Sequence, residues 1–370
     1  MPGPLAGIRV LDLSRLLPGP FCSQLLVDLG AEVIKVEDHL GGDYLRYTPP
    51  LLDDGNSVLF HALNRGKKSV SIDLKSKEGK AQFLRLLPTA DVVLESFRPG
   101  VLHKLALAPA TMLEEHPRLI VCSISGYGQT GPDRLKAGHD INYAARAGAL
   151  GMMKEPTLLP VQVADLAGGA WPAAFQIAAA LVGRERTGQG CLIDVSMTDG
   201  VFGLMAMTLS RALVEDAPLG GGADLLVGKV PCYGVYPTKD GFMSVGSLEP
   251  KFWASLCGAL DRPDLLDRAF DDGASGLEVQ AILAQHFSTK TTGEWTEALA
   301  AVDACVEPVN TPEQALHSDP QLLARGLKVP VDIAGKTFDF PTLGLHTSGA
   351  APANVRGPRL GEHNDELLKP

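Results

Sequence analysis

Three side chains sit where acid–base chemistry and loop ends coincide: His139 in "GHDINY" (138–143), Asp165 in "VQVADLAGGAWPAAFQ" and Glu249 in "SVGSLEPKFW". Each has a plain reading beside a chemical one. His139 follows the glycine-rich "SGYGQTGPDRLKA" and precedes a small-residue run, so it reads as a catalytic base or as an ordinary helix start. Asp165 stands before a small-residue helix and reads first as an N-cap. The same carboxyl would serve as nucleophile or base. Gly168 and Gly169 in its first turn each cost about 1 kcal/mol of helix propensity relative to alanine. That cost makes sense if a ligand lies against the helix N-terminus, where free amides and the helix dipole stabilise a developing oxyanion. Glu249 ends a strand and precedes Pro250, as a helix-entry acid does. It is also at a loop mouth, where catalytic groups collect.

Two basic loops suit an anionic ligand. "NRGKKSV" (64–70) carries Arg65, Lys67 and Lys68 just before a strand, and "SFRPGVL" (96–102) carries Arg98 just after one. Arginine offers a fork of donors and the glycines admit backbone amides to phosphate oxygens. The alternative for each loop is a solvated turn. A ligand with several phosphates would use both.

The elements that must position these groups alternate. Strand-like runs fall at 8–14, 32–38, 69–74, 91–97 and 119–125, with helical segments at 20–30 and 76–90. Pro20 suits a first helical turn and Gly30 a C-terminal cap. Alternating strands and helices imply a parallel sheet covered on both faces. A long helix is expected from Asp165 to about Arg184, a strand at 188–197 and a helix at 198–215. The glycine-rich 216–231 reads as a linker. Beyond it a hairpin at 233–247 turns on Lys-Asp-Gly, amphipathic helices fill 250–318, and short proline-rich strands occupy 328–356. The expected class is α/β: a Rossmann-like large domain over 1–215, the linker, and a smaller α+β domain over 232–324.

Several functions are disfavoured. Glu37 ends the second strand where a ribose-binding acid would sit, but no G-x-G-x-x-G follows the first strand, so nicotinamide redox chemistry is not expected. Net charge is −10 across 370 residues, which argues against gripping nucleic acid. The apolar runs are short for a membrane span, and the start lacks a basic and then apolar leader. Six scattered cysteines without C-x-x-C read as reduced, mostly core thiols, giving neither a zinc site nor disulfides and suggesting the cytoplasm.

The segments "GPLAGIRVLDLSRLLPGPFCSQLLVDLGAEVIKVE", "NRGKKSVSIDLKSKEG", "ESFRPGV", "SGYGQTGP", "GHDINY", "ADLAGG" and "RERTGQGCLIDVSMTDG" occur in an order that resembles the family III CoA-transferases, the CaiB/BaiF family, over nearly the whole chain. "GHDINY", "VGSLEP" and "DACVEPV" look like its α-methylacyl-CoA racemase branch, since the transferases generally carry tyrosine where His139 stands. The resemblance implies two interlocked protomers, each with a large domain completed by about 325–370. It implies an acyl-CoA thioester as substrate, CoA lying on the large domain, and no metal or separate cofactor. By that likeness Arg65, Lys67, Lys68 and Arg98 contact the CoA phosphates or adenosine. His139 and Asp165 would be two proton carriers, with Glu249 available to orient and charge the imidazole and Asp140 a local cap. A transferase would instead use Asp165 as a nucleophile.

Overall fold

The computed structural model describes residues 2–214 and 219–369. The chain divides into two compact units. The first comprises Met1–Ala147, Leu159–Leu204 and Arg325–Pro370; the second comprises Gly148–Leu158 and Met205–Ala324.

The first unit is built on six parallel strands: β1 (Arg9–Asp12), β2 (Glu32–Glu37), β3 (Lys68–Ser71), β4 (Val92–Glu95), β5 (Ile120–Ser125) and β6 (Leu192–Ser196). Their order is β3-β2-β1-β4-β5-β6, every pair parallel. This is the Rossmann order, with its reversal between β1 and β4, where the crevice outside the strand ends is the usual ligand position. β4 and β5 are buried at every residue, as expected of strands covered on both faces. One core face collects Leu11, Ile34, Val70, Phe83, Val93 and Val121.

Local sequence accounts for the helices over this sheet. Pro18–Asp28 starts with proline in its first turn, where an N–H has no partner to lose. It stops at Gly30, whose φ of +99° is left-handed and whose N–H donates to the Val27 carbonyl at 2.7 Å. Lys77–Leu86 is capped by Ser76, which accepts from the Gly79 N–H. A two-stranded ribbon, Lys328–Ile333 with Lys336–Pro341, lays Val329, Val331, Ile333 and Phe340 against Leu52, Val58 and Ala62.

The helix expected from Asp165 is not continuous. A one-turn helix Val163–Asp165 passes into a π-helical turn, Leu166–Ala170, and only then into the α-helix Trp171–Thr187. Pro172 supplies a reason: without an N–H it cannot make the bond four residues back, so the ladder slips just before it. The helical run Val163–Thr187 is, by length and composition alone, long and apolar enough to span a bilayer, contrary to the expectation that no stretch is. Here it packs Ala173, Ala174, Ile177 and Leu181 inside the unit.

In the second unit, β7 (Tyr233–Pro237), β8 (Phe242–Gly246) and β9 (Val306–Pro308) form an antiparallel sheet in that order. The β7–β8 turn falls at Lys239–Gly241 and closes with Thr238 N–H donating to the Gly241 carbonyl at 2.9 Å. Trp253, Phe287 and Trp295 fill the core, and each indole N–H donates to a backbone carbonyl, of Leu265 and Phe287 respectively. The expected boundaries shift in two places. Residues 148–158 join this unit because Gly221 and Gly222 donate backbone N–H bonds to the Gly151 and Met152 carbonyls. The helix expected over 198–215 breaks at Met205 into Met197–Leu204 and Ala206–Arg211; its last residue and linker residues 216–218 lie outside the described residues.

Candidate active site

The strand ends of the first unit open into a cavity of about 820 Å³. Arg15 and Leu16 follow β1, Ser96–Pro99 follow β4, Ser125 and Gly126 close β5, and Met197 follows β6; all line it. His139, Tyr143 and Asp165 complete the wall on one side, and Arg134 and Lys136 extend it. The cavity thus joins four exposed or half-buried cations, Arg15, Arg98, Arg134 and Lys136, to one histidine and one carboxyl.

His139 and Asp165 are 26 residues apart in sequence (165 − 139) and share this wall. The helix Asp140–Arg146 presents His139 at its N-cap, exposed, with the His139 N–H donating to Asn142 Oδ1 at 3.0 Å. The next residue connects the two groups. Asp140 Oδ1 accepts from the N–H groups of Ala164 (2.7 Å) and Asp165 (3.0 Å). Asp140 therefore caps the Asp165 segment, while His139 is the N-cap of its own helix. Two of the amides expected to be free near Asp165 are thereby occupied.

Asp165 is half-buried. Burial first, and then the Asp140 carboxylate, push its carboxyl up to about 6, while His139 pulls the other way. A carboxyl at that value is able to take or give a proton near neutrality. Tyr143 packs edge-on against Tyr127 and donates its O–H to the Gly138 carbonyl at 2.5 Å. Burial, with Asp165 and Tyr127 nearby, pushes its phenol up to about 12, so it stays protonated.

Gly168 and Gly169 serve packing, not a ligand. A Cβ on Gly168 would stand 2.6 Å from the Met197 carbonyl oxygen, and one on Gly169 would stand 2.8 Å from Met197 Cγ. Gly200 meets the Gly168 backbone in the same way, so two helices approach backbone to backbone.

The "NRGKK" cations also differ from expectation. Arg65 and Lys67 are buried. Lys67 Nζ donates to the Pro20 carbonyl (3.0 Å), Ser23 Oγ (2.7 Å) and Asn64 Oδ1 (2.9 Å), and stands 3.5 Å from Asp12 Oδ2. Arg65 donates to the carbonyls of Ala62 and Ala353 and faces Asp28 at 3.7 Å. Lys68, half-buried, pairs with Glu32 and Glu366. The three hold the fold together, and none lines the cavity. Arg98 does line it, exposed on the turn after β4. Arg15, Arg134 and Lys136 are the cations that sequence reasoning passed over. Their signal was position: each follows a parallel strand whose end faces the crevice.

Glu249 belongs to the second unit. It is exposed at the N-cap of helix Pro250–Ala259, its carbonyl accepting from the N–H groups of Phe252 and Trp253. Among the described residues no group of three His, Cys, Asp or Glu gathers in a way that would hold a metal ion. All six cysteines are free, four of them buried.

The family model for CoA-transferase family III matches residues 5–364. The chain is 37% identical to the mouse α-methylacyl-CoA racemase, covering 99% of this chain and 92% of that protein. It is 35% identical to a probable fatty acyl-CoA transferase of Mycobacterium tuberculosis, covering 99% and 97%. A crystal structure of a CaiB/BaiF family protein from Brucella suis superposes with a TM-score of 0.85 at 30% identity, over 99% of this chain and 98% of that one. The cavity at the strand-order reversal and the match along nearly the whole chain lead to one conclusion: this protein belongs to CoA-transferase family III.

Proposed function

We propose that this enzyme is an acyl-CoA racemase that epimerises 2-methylacyl-CoA thioesters by 1,1-proton transfer. The observation that carries the reading is the pairing of His139 with an Asp165 carboxyl raised to about 6 in one cavity. One group removes the α-proton, leaving an enolate. The other returns a proton to the opposite face, so the α-carbon is inverted and no proton is lost overall. The cations of the cavity suit the CoA phosphates, Arg98 among them, as the resemblance implies. Glu249 enters as a supporting carboxylate. CoA is part of the substrate, and neither a metal nor a separate cofactor takes part.

A second reading is a CoA-transferase with Asp165 as nucleophile, forming a mixed anhydride and then an enzyme thioester. It is favoured by the transferase names among relatives of similar identity. A transferase has no need of a second proton carrier, whereas His139 lines the cavity beside Asp165, so the racemase reading is preferred.

The test is incubation of an (R)-2-methylacyl-CoA in deuterium oxide, with and without an added free carboxylic acid. α-Deuterium incorporation with epimerisation is expected. Passage of CoA to the added acid, without exchange, would establish the transferase instead. The pH dependence adds a sign. Asp165 must be ionised to act as base, so exchange that it initiates should fall about tenfold per pH unit below about 6 and level off above it. A midpoint near 4 would mean an ordinary carboxylate and remove the argument from burial.

The family resemblance further supports an interlocked homodimer. A monomer mass by light scattering at micromolar concentration would count against it.

A further inference from the structure

Ser125 is the last residue of β5, 6% exposed, and lines the cavity. Its Oγ has no hydrogen-bond partner among the described residues. Neighbouring polar groups are committed elsewhere. The Tyr143 O–H is given to the Gly138 carbonyl, and the Gly126 carbonyl accepts from both the N–H and the Oγ–H of Thr198. Ser123, two residues earlier on the same face of the strand, bonds to the Glu95 carboxyl. A buried hydroxyl without a partner is costly unless something in the cavity completes it.

Its position says what that something is. Across the strand ends, Arg15 and Arg98 follow β1 and β4, and Ser125 comes next, on β5. Gly126 beside it lies so close to Tyr143 that a Cβ there would stand 2.2 Å from the ring. Tyr143 in turn is within electrostatic reach of both Asp165 and Arg98. The hydroxyl therefore lies on the row of strand ends beside Arg15 and Arg98, next to the Tyr143 wall that also carries Asp165. A ligand held by phosphates at one end and reacting at the other crosses this point with its linking arm. In a CoA thioester that arm is neutral and carries amide carbonyls, the acceptor a neutral hydroxyl suits.

Resting on the acyl-CoA reading, we infer that Ser125 is a positioning residue whose Oγ–H donates to a carbonyl oxygen of the pantetheine arm. Calorimetric titration of the full-length protein with CoA and with adenosine 3′,5′-bisphosphate, which keeps the nucleotide and two of the three phosphates but has no arm, tests it. Ser125→Ala is expected to weaken CoA about 3- to 10-fold and to leave the bisphosphate unchanged. With a 2-methylacyl-CoA as substrate, KM should rise by a similar factor while kcat stays within about twofold. Equal losses for both ligands would assign Ser125 a structural role and overturn the inference, as would undiminished CoA binding. Failure of the unmodified protein to bind CoA at all would overturn the acyl-CoA reading and this inference with it. CoA binding insensitive to Ser125→Ala would overturn the inference alone.

Discussion

His139→Ala is expected to lose racemisation by about 10²- to 10⁴-fold, the range of a positioned general acid or base. Both directions of the reaction need both groups, so neither enantiomer should be spared. Exchange of the α-proton should behave differently. Asp165 remains able to remove a proton from the enantiomer it faces and to return a deuteron to the same face. His139→Ala should therefore retain α-deuterium incorporation, without inversion, for one enantiomer only. Asp165→Ala should show the mirror pattern. The measurement is NMR of each pure enantiomer with each variant in deuterium oxide. Racemisation by His139→Ala at the wild-type rate would remove the two-base reading. Acyl exchange abolished by Asp165→Ala but kept by His139→Ala would put the transferase in its place.

Asp12→Ala should destabilise the first unit by about 3–5 kcal/mol, the cost of leaving a buried charge without its partner. Asp12 is wholly buried and accepts from the Ser14 N–H and hydroxyl and from Ser23 Oγ. Burial alone would push its carboxyl up. Lys35 and Lys67, with the two serine hydroxyls, more than offset that and hold it below the usual range. Removing the carboxylate leaves Lys67, which burial already pulls down to about 7, within a ring of neutral acceptors and without the Asp12 charge that opposes that loss. Urea unfolding followed by tryptophan-independent far-UV circular dichroism would measure the loss. The double variant Asp12→Ala/Lys67→Met should lose less than Asp12→Ala alone, since no charge is then stranded. A loss under about 1 kcal/mol for Asp12→Ala would mean that Lys67 reaches water and would return it to the candidates for ligand binding.

The same lysine shows where sequence reasoning reached its limit. The alternation of strands and helices is local, and the six parallel strands follow from it. Their order, and hence the crevice between β1 and β4, rests on pairings such as Val10 with Val92 that no short stretch encodes. His139 and Asp165 stood out as candidates at loop–helix junctions, but each read equally as a helix start or cap, and only the fold brings them to one cavity wall. "NRGKK" was misleading for a physical reason: a lysine in a polar loop looks solvated, and only the fold puts Asp12, Pro20, Ser23 and Asn64 around it. Gly168 and Gly169 misled likewise, since an absent side chain admits a ligand or a neighbouring backbone equally well. Ser125 was invisible, one serine within a strand, until the groups around it were seen to be otherwise engaged.

Asp140 joins two quantities that a chemist would wish to adjust one at a time. Its carboxylate grips the backbone at Ala164 and Asp165, while its own backbone follows directly on His139. The span from imidazole to carboxyl is thus closed through one short side chain, like the pivot of a pair of calipers. The same negative charge also makes the Asp165 proton harder to lose. Any change at this residue that resets the opening of the calipers resets the acidity of one tip as well. Relatives that differ here would have to alter both the reach across the substrate carbon and the working pH range in a single substitution.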